Sequence, residues 1–198
     1  MTQVENRCVF IGTSARLGGS SRYYHAMSQE FADRGYTVVV LLDRHKTIEP
    51  KTAPSVTYVT WPSFRPTRVR DAVFFFRAVR KYKPGIVIGN FGSVNIMTVV
   101  GWAARVPVRI AWYHTMSAAS ELDGLISDLR IRFLRWRKRI VYRLATPLVS
   151  CSRASRADIM ETFGVPERKC LVLPLLLTET RCPVEAREPY TIACVGRM

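Results

Sequence analysis

Short apolar runs alternate with longer stretches in which apolar residues recur every three or four positions. The runs are 7–13 (RCVFIGT), 37–42 (TVVVLL), 56–61, 86–89, 108–113, 148–150 and 170–173. Their near-continuous, β-branched character predicts strands buried on both faces. Between them, 20–34, 67–82, 93–105, 123–144 and 155–163 carry the helical period, as Val69, Ala72, Val73, Phe76 and Val79 illustrate. Ser20 or Ser21 is the predicted N-cap of the first helix, and Gly35 its C-terminal stop.

Strands alternating with helices predict βαβ units and a parallel sheet. The expected fold is therefore α/β, a Rossmann-like doubly wound sheet covered on both faces. Such a sheet takes its ligands at the C-terminal ends of the strands. Residues 174–189, which include Pro183, break the rhythm and read as a linker after a domain of residues 1–173. Residues 190–198 (YTIACVGRM) open another strand. It would either begin a second, truncated domain or extend the first sheet.

Composition narrows the class. In 198 residues, 48% are hydrophobic and 23% charged, which excludes disorder, fibre and coiled coil. No run approaches ~18 uncharged apolar residues, so no membrane span is predicted. Cys8, Cys151, Cys170, Cys182 and Cys194 form no CxxC pair, which suits reduced thiols in the cytoplasm better than zinc or a disulfide framework.

Charge changes the picture more. Thirty Lys and Arg against fifteen Asp and Glu give a net +15. Residues 63–83 and 126–143 each carry seven cations and one acid, so two segments supply most of the excess. Within the second, Leu129, Phe133, Trp136, Ile140 and Leu144 share a helical stripe among Arg130, Arg132, Arg135, Arg137, Lys138 and Arg139. A basic amphipathic helix with Trp and Phe fits an anionic membrane surface. The same stripe could instead cover the sheet. RNA-recognition, zinc-finger and helix-turn-helix signatures are absent, so nucleic acid is not the expected partner.

Candidate chemistry clusters at predicted strand ends. Gly18, Gly19 and Ser20 precede the first helix, where free backbone N–H groups and the helix dipole favour a phosphate; the same glycines could serve a tight turn. The spacing is neither GxGxxG nor a Walker A loop. His114 follows the strand ending in AWY and could bind a hydroxyl or phosphate, exchange a proton, or cap the loop. Asn90 and Phe91 end the preceding strand at the same edge. Asp43 reads as a solvated strand-end residue. The few acids form no evident catalytic pair.

Several of these segments, in order, resemble family 4-type glycosyltransferases of the GT-B fold. They are Gly18-Gly19 with the helix leading into Ala32-Asp-Arg-Gly-Tyr-Thr-Val-Val-Val40, then Lys83-Pro-Gly-Ile-Val-Ile88, then Val106-Pro-Val108 with His114. Val149-Ser-Cys-Ser152, Phe163-Gly-Val-Pro166, Lys169-Cys-Leu-Val-Leu-Pro174 and Val195-Gly-Arg-Met198 complete the series. The resemblance implies the N-terminal, acceptor-side half of a two-domain retaining enzyme of hexosyltransferase type. That enzyme would need no metal or other cofactor and would use a nucleotide-sugar donor and a glycan or lipid-linked acceptor. By position, Gly18, Gly19 and Ser20 would face the donor phosphates, His114 would be the cleft histidine near the transferred sugar, and Ser152 and Arg153 would lie at the cleft edge. The chain without its C-terminal domain is expected to be inactive. The enzyme is expected in the cytoplasm, peripheral on the inner membrane face. The competing expectation is a non-catalytic Rossmann-like module that binds a phosphate or nucleotide.

Overall fold

A computed structural model of the chain describes residues 7–15, 18–43, 56–114, 116–117 and 128–175. The predicted linker beyond residue 175, the strand at 190–198, Cys182 and Cys194 lie outside the described residues.

The β-branched runs form strands as anticipated. They are β1 (Cys8–Thr13), β2 (Thr37–Leu42), β3 (Val56–Thr60), β4 (Ile86–Gly89), β5 (Val108–Tyr113), β6 (Leu148–Ser150) and β7 (Cys170–Val172). They make one parallel sheet in the order β3-β2-β1-β4-β5-β6-β7. The helices are α1 (Gly19–Asp33), α2 (Val69–Tyr82), α3 (Val94–Ala103), α4 (Asp128–Leu144) and α5 (Arg153–Phe163). The chain runs outward from β1 through β2 to β3, then returns to β4 on the other side of β1. The strand order therefore reverses between β1 and β4, and a doubly wound sheet opens its ligand crevice at such a point.

The reversal also sorts the helices. In β1, Val9 and Ile11 point to one face, where they meet Tyr24 and Ala32 of α1. Phe10 points to the other and packs with Phe75 and Val79 of α2 and Met97 of α3. Farther along that second face, Ala111 and Tyr113 of β5 meet Val141 and Tyr142 of α4 and Ile159 and Phe163 of α5. Four helices thus share one face. Among the described residues, only α1 covers the opposite face. Between α1 and the β4–β6 part of the sheet lies an apolar cavity of about 640 Å³, bordered by Met27, Phe31, Ile110, Trp112 and Val149. The expectation of helices on both faces holds, but the two layers are unequal.

Two glycines let α3 approach the reversal point. A Cβ at Gly12 would overlap Ser93 Oγ and Met97 Sδ, and one at Gly89 would lie 2.9 Å from Val94 Cα. The turn at 91–93 and the start of α3 therefore sit directly on the ends of β1 and β4.

The caps differ in detail from expectation. Gly18, not Ser20 or Ser21, caps α1: its N–H donates to Ser21 Oγ at 2.9 Å, and that hydroxyl donates back to Gly18 O. Serine at the third helical position can reach back in this way, so a serine cluster does not itself mark the cap. Helix α1 does end before Gly35, whose φ is +79°. The α2 cap is held by Asp71, which is fully buried and accepts the N–H of Ser63 at 2.9 Å and of Arg68 at 3.0 Å.

One alternative fails for α4. Its Leu129, Phe133, Trp136 and Ile140 do not cover the sheet but point outward, at 77%, 56%, 57% and 41% exposure. Among its described side chains and the residue just beyond it, only Val141, Tyr142 and Ala145 are buried.

Candidate functional site

The side chains that end the strands meet at the C-terminal edge of the sheet. His114, immediately after β5, is held from three sides. Tyr24 Oη, from α1, lies 3.0 Å from its Nε2, and Cys151 Sγ, just past β6, lies 3.3 Å from its Nδ1. Phe91, just past β4, stacks on the imidazole with centroids 4.8 Å apart and planes 22° from parallel. Trp112 lies nearly parallel to it at 6.3 Å.

This packing sets the protonation state. Burial disfavours the imidazolium and lowers the His114 pKa from 6.5 to about 4. Near neutral pH the ring is a neutral imidazole, with one donor and one acceptor nitrogen. Each nitrogen already has a partner, so this arrangement suits hydrogen bonding better than free proton exchange. Burial also raises the Cys151 thiol and the Tyr24 hydroxyl, so both stay protonated at neutral pH.

Phe91 adopts φ +48°, the left-handed region that costs a non-glycine residue ~1–2 kcal/mol. Its ring is nonetheless 48% exposed. The strained turn thus presents the aromatic face to the edge, with His114 beneath it. Beside it, Asn90 is 1% exposed, and neither Oδ1 nor Nδ2 has a hydrogen-bond partner among the described residues. Thr13, ending β1, also has a buried hydroxyl without a partner among the described residues. Buried polar atoms of this kind usually find hydrogen bonds. Here both residues end the two strands that flank the reversal.

The glycine pair lies at the same edge. A tight turn does not account for it: Gly18 is extended at φ −128°, and Gly19 is the first residue of α1. An added Cβ at either would meet nothing within 4 Å. The fold itself therefore leaves room for side chains at both positions, and their absence leaves bare backbone at the start of α1, next to Ser20. Asp43 is not merely solvated, as its Oδ1 accepts the Ala15 N–H at 2.8 Å and ties this loop to the end of β2.

After β6, Ser152 caps α5 by accepting the Ser155 N–H at 3.1 Å, and Arg153 is exposed beside it. Helix α5 also anchors Ser117, shortly past His114. Its Asp158 accepts hydrogen bonds from Tyr113 Oη, Ser117 Oγ, Ser117 N–H and Thr162 Oγ1. Burial would raise the Asp158 pKa, but these bonds outweigh burial and hold it below the usual carboxylate range.

Of the residues anticipated from sequence, the structure brings His114 and Phe91 into contact and seats Asn90 next to Phe91. Gly18, Gly19, Ser20, Ser152 and Arg153 stand at the same edge on α1 and α5. Arg132, Arg135, Trp136, Arg137, Lys138 and Arg139 lie along α4, a separate surface; the Arg130 side chain is outside the described residues. Sequence reading missed Tyr24, Cys151 and Thr13. Cys151 carried a signal, since it is the first residue past a predicted strand. Tyr24 carried none, since it meets His114 only through the fold. Among the described residues, no group of three or more His, Cys, Asp or Glu side chains is placed to hold a metal.

Comparison with known proteins agrees with this architecture. No curated protein sequence matches the chain. Among solved structures, sucrose-phosphate synthase from Thermosynechococcus elongatus superposes with a TM-score of 0.62 at 12% identity, over 84% of this chain and 47% of that one. A glycosyltransferase from Rickettsia africae gives 0.59 at 13% identity, over 86% and 43%. Anabaena HepE, solved with UDP and glucose, gives 0.56 at 14% identity, over 86% and 44%. These likenesses are of fold, and the chain spans less than half the length of each. The sequence profile of glycosyltransferase family 4 matches residues 17–175, most of the chain, so the chain belongs to glycosyltransferase family 4.

Proposed function

We propose that this domain forms one wall of the cleft of a retaining glycosyltransferase, which moves a hexose from a nucleotide-sugar to a glycan or lipid-linked acceptor. The observation that carries the reading is the convergence at the β1–β4 reversal. Neutral His114, stacked under Phe91, unpartnered Asn90 and the bare backbone of Gly18 and Gly19 share one edge. In this reading the N–H groups at the start of α1 meet donor phosphate, favoured by the helix dipole. His114 hydrogen-bonds a hydroxyl of the transferred sugar, exchanging its hold on Tyr24 or Cys151 for the ligand. Asn90 offers the acceptor or donor sugar both an amide N–H and a carbonyl. Ser152 and Arg153 border the cleft. A second domain completes the donor site, and the transfer uses no metal. Cys8, Cys151 and Cys170 are unpaired thiols, which supports a cytoplasmic setting.

The test is transfer by the complete protein across a panel of UDP-, GDP- and dTDP-hexoses, with His114→Ala and Gly19→Val as variants. His114→Ala is expected to lower kcat by ~100-fold, the scale of losing one positioned polar contact at a reacting centre. Gly19→Val is expected to weaken donor binding while leaving the fold intact, because its side chain enters open space. An unchanged rate in both variants overturns the site. Nucleotide binding without turnover on any donor would favour a non-catalytic binding module.

A further inference from the structure

The two basic segments, far apart in sequence, belong to one surface. Helices α2, α3 and α4 lie side by side in the same layer, with α3 packed between the other two. Each turns apolar side chains outward. On α2 they are Val69, Val73 and Phe76, at 80%, 44% and 43% exposure. On α3 they are Val99 and Trp102, and on α4 the stripe of Leu129, Phe133, Trp136 and Ile140. The stripe is spaced 4, 3 and 4 residues apart, and Phe133 and Trp136 touch, with ring centroids 5.9 Å apart.

Cations flank this apolar surface and far outnumber the acids of the three helices. Arg70, Arg77, Arg80 and Lys81 of α2 are exposed, as are Arg132, Arg137, Arg139 and Arg143 of α4. Helix α3 carries no charged residue. Across α2, α3 and α4 there are two acids: Asp71, which is buried beneath α2 and bound to backbone N–H groups, and Asp128, the first residue of α4, whose side chain is outside the described residues. A merely solvated helix face usually mixes both signs. Exposed aromatics among Arg and Lys, with so few acids beside them, match an interface that is apolar below and anionic at its surface. Among the described residues no helix is long and apolar enough to cross a membrane.

We propose that the outer surface of α2, α3 and α4 is a docking face for an anionic lipid bilayer, on which the three helices lie flat. The apolar side chains enter the headgroup boundary and the arginines pair with lipid phosphates. Each of these helices joins parallel strands, so each runs back from the C-terminal edge, and its first turn lies near the cleft. Docking would hold that edge close to the membrane surface, where a lipid-linked acceptor could reach it. The docking itself does not depend on the transfer reaction.

Two of the four tryptophans make the test direct. Trp102 on α3 and Trp136 on α4 are exposed on the proposed face, while Trp61 and Trp112 are buried. The purified chain is mixed with vesicles of phosphatidylcholine, alone or with phosphatidylglycerol. Binding is read by flotation and by quenching of tryptophan emission with brominated lipid. Binding is expected only with phosphatidylglycerol and should weaken as salt rises. Trp102→Phe and Trp136→Phe should each remove part of the lipid quenching. Arg77→Gln with Arg80→Gln, and separately Arg132→Gln with Arg137→Gln, should each weaken binding by ~30-fold, at the usual worth of a cation near an anionic surface. These side chains are exposed, so circular dichroism should show an unchanged fold. Quenching confined to Trp136, or no effect of the α2 pair, overturns the three-helix face. So does tight binding to duplex RNA with none to anionic vesicles, which would make the basic surface a nucleic-acid site. Transfer to a soluble acceptor should be unaffected by either arginine pair, which separates failure of docking from failure of the proposed reaction.

Discussion

Acidification is the most direct perturbation of the cleft, because its histidine is neutral for a structural reason. His114 lies among Tyr24, Phe91, Trp112 and Cys151, and this burial lowers its pKa to about 4, against 6.5 unperturbed. Between those values the unfolded chain binds a proton that the folded chain refuses. Stability therefore falls as the pH drops through this window, and His114 contributes no dependence above about pH 7, where both states are neutral. The gap between 6.5 and about 4, at ~1.4 kcal/mol per pH unit, corresponds to a loss of about 3 kcal/mol at the acid end. Asp158 and other carboxylates also titrate there, so the wild type must be compared with His114→Gln, which cannot take up the proton. Urea unfolding of both proteins at a series of pH values gives the difference. The wild type should lose stability relative to the variant progressively below about pH 6. Parallel profiles, or an imidazole NMR titration centred near 6.5, would refute the claim that packing holds this ring neutral. A corollary concerns catalysis. The ring stays neutral around pH 7, so the rate profile of the complete enzyme there should carry no His114 limb.

Three further substitutions probe how the edge is built. Asp71→Ala leaves the buried N–H groups of Ser63 and Arg68 without their acceptor and should cost about 3 kcal/mol by urea unfolding, while Asp71→Asn, which keeps one oxygen, should cost about half. Gly12→Ala overlaps Ser93 and Met97, so it should cost about 1–3 kcal/mol and displace the 91–93 turn, with transfer rate and melting temperature falling together. Phe91→Gly relieves the left-handed φ, about 1 kcal/mol, and loses a ring stack of similar worth. Its melting temperature should barely move while kcat drops, and an unchanged kcat would show that the exposed ring serves no substrate.

The sheet was legible because buried parallel strands must be almost wholly apolar, and TVVVLL leaves few other roles for its residues. Once the strands are located, their ends are located, so His114, Asn90 and Phe91 could be assigned to one edge from sequence, while Ser152 came there only through the family resemblance. What joins them there could not. Tyr24 and Cys151 reach His114 from elements far away in the chain, and no local pattern encodes a contact across α1, β5 and β6. Periodicity was ambiguous in a different way at α4. That helix has two apolar surfaces, Leu129–Ile140 and the Val141–Tyr142 end, and a period of 3.6 cannot say which is inside. The sheet decides it. Tyr113 and Leu148 need cover near the last turn of α4, so Val141, Tyr142 and Ala145 are buried and the longer stripe is left outward. The same connectivity explains why basic segments on either side of β4 and β5 fall together. After the reversal at β1, every crossover from β3 onward passes over one face, so α2, α3 and α4 must be neighbours. Their inner sides serve the sheet that positions the cleft. Their outer sides are free of that duty, and the cation-rich, aromatic surface they carry needs a cause other than the fold.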